Sequence, residues 1–395
     1  MATSPIVPRP RSDAGAILLP AAVALFGLVA CTALVIDYGM QLVSRTEAQA
    51  AADAAALAGA GSLALGGACS TADLSTARQT AVNVGVANDV WGEPPAIPLA
   101  DVTTPACPHG GAGCLQVTVH RDHAHGNPVP TILGQMFGLA SFGVAAQAIA
   151  EWTPATASDC LRPFAVPDRW TDSLGAWTPD RTYDRLDAAG PQNPDRYTAP
   201  SAADAGTGLT VGTFCGIRVR LTPANPANRI RPWQFVPLHL VRADRFLHPG
   251  GDNFYKNVST CNALPSAVGS RSLLAQGSVE DSIDDGVDQL MDLDPSASWD
   301  VARRRIVGGC MAAGTCVVSP RLIAIALFDP DQFEVDRLRL GRVSEITIRN
   351  IVGFFMSNQK GDDIEGYLTL YPGLGTPSAT LSADAGFLRA AFLVR

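Results

Sequence analysis

Between Ala16 and Ile36 the chain runs for 21 residues without a charged side chain, AILLPAAVALFGLVACTALVI. At about 1.5 Å per residue, a helix of that length reaches about 30 Å, the thickness of a bilayer's hydrocarbon core. Pro20, near one end, is tolerated in a membrane helix. A cleaved secretory signal has a shorter apolar core and a small-residue cleavage site just after it, whereas Ile36-Asp37-Tyr38-Gly39 follows here. Arg9 and Arg11 precede the run, and no cation follows it until Arg45. The positive-inside rule therefore puts residues 1–15 in the cytoplasm, 16–36 across the membrane in a single pass, and everything beyond Asp37 outside.

The cysteines agree with an exported destination. Cys31 lies inside the apolar run, and the other eight form an even set suited to disulfides: Cys69, Cys107, Cys114, Cys160, Cys215, Cys261, Cys310 and Cys316. Cys107 and Cys114 flank PHGGAG, and Cys310 and Cys316 flank MAAGT, so each of these pairs is expected to close a short loop. Sequence alone does not pair the remaining four. Over the 395 residues the formal net charge is -8, with only two lysines, Lys256 and Lys360. No basic stripe exists, so no nucleic-acid partner is expected.

Beyond Asp37 alanine dominates from Ala48 to Ala60 with no proline, so the helix should continue to about Leu65. Gly66-Gly67 provides the stop. Such a helix either projects as a stalk, with small side chains open to partner helices, or packs on its own domain.

Gly15, the apolar run, Asp37, Gly39, Arg45 and the string Gln49-Ala-Ala-Ala-Asp53-Ala-Ala-Ala-Leu57-Ala-Gly-Ala60 together resemble the N-terminal region of TadG-like proteins. These belong to the Tad (Flp) pilus assembly systems of bacteria. Ala48 departs from the family, which more often has a leucine there. The resemblance covers residues 11–65 and implies an inner-membrane anchor with an exported C-terminal region that serves pilus assembly or attachment. It also implies other pilus-assembly membrane proteins as partners through the stalk. Counted from Gly15, the fifth mature position of a type IV prepilin would be Pro20 instead of glutamate, so no prepilin-type cleavage is expected.

Residues 66–152 read as a small α/β unit: a helix from Thr71 to Asn88, a strand from Leu115 to His120, a short helix from Val129 to Leu139 and a strand from Phe142 to Trp152. Gln135, Gln147 and the glycines argue against a second membrane span between Val129 and Ala150. Thr153 to Ser158 reads as a linker. Residues 160–395 read as a mostly β domain, with strands at Gly216–Leu221, Phe235–Val241, Arg321–Phe328, Glu345–Phe355, Tyr367–Tyr371 and Phe387–Val394, and a helix at Val279–Met291. The overall class is α+β.

Candidate sites are few. His120, Asp122, His123 and His125, with His109 nearby, form the best metal candidate, but the segment runs into the Asn127-Pro128 turn, where polar residues are simply solvated. The acidic run from Glu280 to Asp300 reads as a solvated helix face, and its Asp281-x-Ile283-x-Asp285-Gly286 lacks a calcium-loop oxygen at the third position. Asp294, Ser296 and Ser298 fit the D-x-S-x-S string of von Willebrand factor A metal sites, yet the context favours a turn ending the preceding helix. No G-x-S-x-G, H-E-x-x-H, P-loop or G-x-G-x-x-G occurs. The expectation is a non-enzymatic membrane protein without metal, cofactor or small-molecule substrate, acting as scaffold or adhesive surface in a pilus or secretion apparatus. The alternative is a tethered adhesin or carbohydrate-binding protein with no pilus role.

Overall fold

The computed structural model describes residues 18–65, 69, 74–185, 194–241, 251–262, 264–277, 279–313, 315–316, 318–374 and 381–394. Gly15, the segment expected to be cytoplasmic and the Gly66-Gly67 stop lie outside them. The chain divides into two compact units. The first comprises Met1–Ala55, Val82–Val102 and Val117–Ala148; the second comprises Ala56–Ala81, Thr103–Gln116 and Ile149–Arg395.

Helix α1, Leu18–Leu65, runs unbroken for 48 residues, so the apolar run and the alanine stretch form one helix. Ala48, Ala51, Ala52, Ala55, Ala56 and Ala60 are all fully buried, and they recur at helical spacing. Helix α2, Leu74–Val86, lies against that face. A Cβ on Gly85 would collide with the Ile97 side chain and come within 3.0 Å of Ala55 Cβ. A Cβ on Gly59 would collide with Leu115 and reach 3.0 Å from Ala81 Cβ. The alanine face thus packs on its own chain, and glycine and alanine let the helix backbones approach closely. The projecting-stalk alternative does not hold for this face.

Strand β1, Gly113–Arg121, alternates as its sequence predicts, with Leu115, Val117 and Val119 buried. The apolar stretch after it is not a helix. It forms a hairpin of β2, Val129–Pro130, and β3, Ser141–Phe142, whose tip holds one 3-10 turn at Gly134–Phe137. Strand β4, Val144–Pro154, follows. The expected linker contributes structure, because Thr153 and Pro154 end β4 and Ala157–Ser158 pair with Ser266–Ala267.

The second unit carries strands β5 (Leu161–Pro167), β6 (Arg218–Pro223), β7 (Gln234–Pro237), β8 (Arg271–Leu273), β9 (Leu322–Phe328), β10 (Glu345–Lys360), β11 (Asp363–Thr369) and β12 (Leu388–Val394). Strands β10, β9, β5, β7, β6 and β11 are hydrogen-bonded in that order, and β11 pairs back onto β10, so the ring closes as a six-stranded barrel. The β9–β5 and β6–β7 pairs are parallel and the other four antiparallel. Closure removes the free edges that would otherwise template association. Alternation along β9 divides the core: Ile323, Ile325 and Leu327 join Phe164, Phe235 and Phe354 in one cluster, while Ala324, Ala326 and Phe328 face another around Trp170 and Phe333. Gly366 permits the tight β10–β11 crossing, since a Cβ there would run into the carbonyl of Phe355.

Helices α3 (Gly251–Ser259), α4 (Glu280–Asp292) and α5 (Pro330–Leu340) complete the second unit. On α4, Ile283, Val287 and Leu290 point inward while Asp281, Asp285, Asp288 and Asp292 are exposed, so the acidic run is a solvated face on a helix. Asp294 sits just past that helix and is buried. It accepts hydrogen bonds from Ser319 Oγ at 2.6 Å and from the Cys310 amide at 2.9 Å, which makes it a structural turn residue. Helix α5 is capped by Asp329, which accepts from the amides of Asp331 and Gln332 at 3.0 Å each, and it ends at Gly341 with φ +74°.

Four disulfides brace the molecule. Cys107–Cys114 and Cys310–Cys316 close the two short loops, as their spacing predicts. Cys69–Cys215 and Cys160–Cys261 join segments 146 and 101 residues apart. The last turn of α1 is held by β12, where Arg389 Nη1 donates to the carbonyl of Ala64 at 2.8 Å. The Arg389 guanidinium lies 4.4 Å from the centre of the Trp152 ring. A cation there satisfies an orphan carbonyl and complements the negative end of the helix dipole.

Candidate functional site

In the apolar half of α1 the large side chains have no cover from the chain: Leu18, Leu19, Leu28 and Leu34 are 68–74% exposed. This is the one described helix long and apolar enough to cross a membrane. In water, a bare column of this size would be a severe liability; in hydrocarbon it is the expected surface.

The polar residues just beyond the run hold the first unit together. Asp37 is the first charge after the run. One carboxylate oxygen accepts the amides of Ile132 at 2.9 Å and Leu133 at 3.3 Å, and the other accepts Gly134 at 2.5 Å. The aspartate thereby caps the turn at the hairpin tip, and bonds to a charged acceptor are the stronger kind. About three turns on, Glu47 accepts the Trp91 amide at 2.6 Å. Gln49 donates to Asp53 at 2.8 Å and to the carbonyl of Gln147 in β4 at 3.2 Å. Arg45 is exposed, a Cβ on Gly39 would meet nothing within 4 Å, and Leu57 is half-buried.

Residues 15–62 match a protein-family model described as putative Flp pilus-assembly TadE/G-like. That segment is TadE/G-like. It contains the span, Asp37, Gln49, Asp53 and the alanine face, and so coincides with the part of α1 whose contacts have just been described. No curated protein and no solved structure matches the chain. The TadE/G-like segment supplies a spine on which the rest of the first unit is built.

Downstream of the TadE/G-like helix, the histidines expected to be solvated are partly organised. His120 Nε2 lies 3.0 Å from Asp101 Oδ2, and its Nδ1 is 3.5 Å from Asp122. His125 Nδ1 is 2.8 Å from Asp122, and the two imidazoles stack with centroids 4.1 Å apart. Burial pulls the Asp122 carboxyl up, but its hydrogen bonds from His125 and the charges of His125 and His120 outweigh this and hold it below the ordinary aspartate value. Asp101, His120 and His125 each offer one ligand atom within 4.8 Å of the others, so these three could hold a metal ion, with Asp122 orienting the rings. Asp101 is 19 residues from His120 and joins it only because Ala96 bridges to the backbone of His120. His109 does not take part and pairs instead with the buried Glu151, at 3.3 Å.

His123 Nε2 lies 3.0 Å from Ser141 Oγ on an exposed surface. Asp122, the adjacent carboxylate, is committed to His120 and His125, so the pair is not arranged as a charge-oriented triad. Three concavities of the second unit are lined by Asp172, Asp180, Asp184 and Asp195; by Tyr255, Asp285 and Gln289; and by Arg218, Arg220 and Trp233. Among the described residues, none of the three is lined by histidine or cysteine.

Proposed function

We propose that this chain is a membrane-anchored, non-enzymatic component of a bacterial Tad (Flp) pilus assembly or secretion apparatus. Helix α1 anchors it in the inner membrane with residues 1–15 cytoplasmic, and the barrel unit serves outside as a scaffold or adhesive surface. The observation that carries this reading is the continuity of α1: a bare apolar span runs without a break into a TadE/G-like helix whose polar residues grip the chain's own fold. Four disulfides support an oxidising destination, and Arg9 and Arg11 before the run support the orientation. The absence of enzyme motifs supports a mechanical role.

The alanine face is occupied within the chain, so partner proteins meet the lipid-facing half of α1 or the outside of the barrel unit. The test is deletion of the chain in a strain that assembles such pili, with complementation by the full chain. The expected result is loss of pili, and recovery of pilus-system membrane proteins when the chain is cross-linked in the membrane and purified. Normal piliation together with no such recovery would defeat the proposal and favour a tethered adhesin. A C-terminal alkaline phosphatase fusion should be active, and an inactive one would overturn the orientation.

A further inference from the structure

We infer that the tip of the β2–β3 hairpin, residues 131–140, is embedded in the membrane leaflet beside α1, so that the chain meets lipid acyl chains through a re-entrant loop as well as through its span. The tip reads TILGQMFGLA and has no charge. Ile132, Met136, Phe137 and Leu139 are 56, 70, 40 and 66% exposed. Four large apolar side chains in eight residues, all at least 40% exposed, form a patch that suits hydrocarbon and not water.

Continuity with the span identifies the occupant. Asp37 holds the backbone of 132–134 at the point where the apolar run ends. From there the loop turns back along the helix, and the rings of Phe137 and Phe26 meet edge-on with centroids 5.9 Å apart. Phe26 lies eleven residues before Asp37, about 16 Å along the axis, which is about the hydrocarbon depth of one leaflet. Phe26, Ala30, Ala33 and Asp37 share one helix face. Ala33 on that face is only 2% exposed, whereas its neighbours Leu34 and Val35 are 73 and 67% exposed.

Seven of the ten backbone amides of the tip find acceptors inside the protein, which is what a lipid environment demands of them. Asp37 takes the amides of 132, 133 and 134. Within the loop, Thr131 donates to Ala140, Met136 to Leu133, Gly138 to Gln135 and Leu139 to Gly134, at 2.9–3.2 Å. The amide of Gln135, its one polar side chain besides Thr131, donates back to the Thr131 carbonyl at 2.9 Å.

The inference rests on α1 spanning the bilayer, and the experiment separates the two. The full chain carrying Cys31→Ser, with its disulfides intact, is labelled with an environment-sensitive fluorophore at Met136→Cys, Leu25→Cys or Asp89→Cys and reconstituted into phosphatidylcholine vesicles. Asp89 is an exposed control near Trp91, whose amide reaches Glu47, ten residues outward from Asp37. Lipids with a nitroxide on the acyl chain should quench the labels at 136 and 25 at least twofold and leave the label at 89 unchanged, while aqueous iodide should quench only the last. Iodide quenching at 136 with lipid quenching at 25 would overturn the loop and spare the span. Protection of 136 from both quenchers would mean a protein covers the tip, a second copy included, and would also overturn it. Absence of lipid quenching at 25 would remove the span and the loop together.

Discussion

The two halves of α1 form one helix in two solvents. From Leu18 to Ile36 its large side chains are mostly bare, with Ala33 covered; from Asp37 to Leu65 its inward face is mostly alanine and covered. The contrast shows what each environment asks of a helix. Hydrocarbon covers leucine for nothing, so bulk is tolerated and packing is optional. Water does not, so the second half must be covered by its own chain, and small residues let α2 come close enough to do so. The change falls near Asp37, whose carboxylate ends the uncharged run and ties down the hairpin.

The sharpest break would come from a large side chain in the close-packed half. Gly85→Leu drives into Ile97 and Ala55, and should cost about 3 kcal/mol or more, read as a fall in the cooperative melt of the full chain in micelles. The matching change in the other half should behave oppositely. Leu28→Arg should cost about 3 kcal/mol of insertion, read as loss from the membrane fraction, and leave the melt unmoved. If both variants lost the melt alike, the helix would not be divided as described.

The barrel unit adds a contrast that pH can read. Asp168 is buried, and burial raises its carboxyl pKa to about 6 against the opposing pull of bonds from the amides of Leu209 and Arg169 and from Tyr197 Oη. A raised carboxyl favours the folded state most below the ordinary value of 3.8, and that contribution is lost as pH rises through about 6. The span of about two pKa units is worth about 3 kcal/mol at most. Asp168→Asn should therefore flatten the slope of melting temperature between pH 4 and pH 7, and an unchanged slope would contradict the assignment. Smaller effects should follow at the junction. Asp37→Ala leaves three amides without their acceptor and should cost about 1–3 kcal/mol, read as faster proteolysis within 131–140. Gln49→Ala, which loses one exposed bond to β4, should cost under about 1 kcal/mol.

Much of this was legible from residue order where one local rule decided the outcome. The uninterrupted apolar run, the alanine helix, the alternation in β1 and β9 and the two short cystine loops depend on neighbours in sequence. The long-range cystines do not, because Cys69 and Cys215 are 146 residues apart and only the tertiary fold brings them together. Strand β5 is buried at all seven positions, so no alternation marked it. Helix α5 has a weak apolar face, and the signals that could have found it were its ends, Asp329-Pro330 and Gly341. The stretch from Val129 to Leu139 read as a helix because its apolar residues suggested a core, whereas they cover the tip of a hairpin. At the candidate metal site, spacing two apart pairs His123 with His125, whereas His125 stacks on His120 instead, and Asp101 arrives beside a backbone bridge that no spacing rule foresees.

Arg389 links two parts of the chain that lie far apart in sequence. The carbonyl it satisfies at Ala64 belongs to the last turn of α1, yet the guanidinium sits 325 residues downstream. A lesion in β12 therefore removes the cap from a helix end hundreds of residues earlier, so damage near residue 389 should be felt as fraying of the last turn of α1.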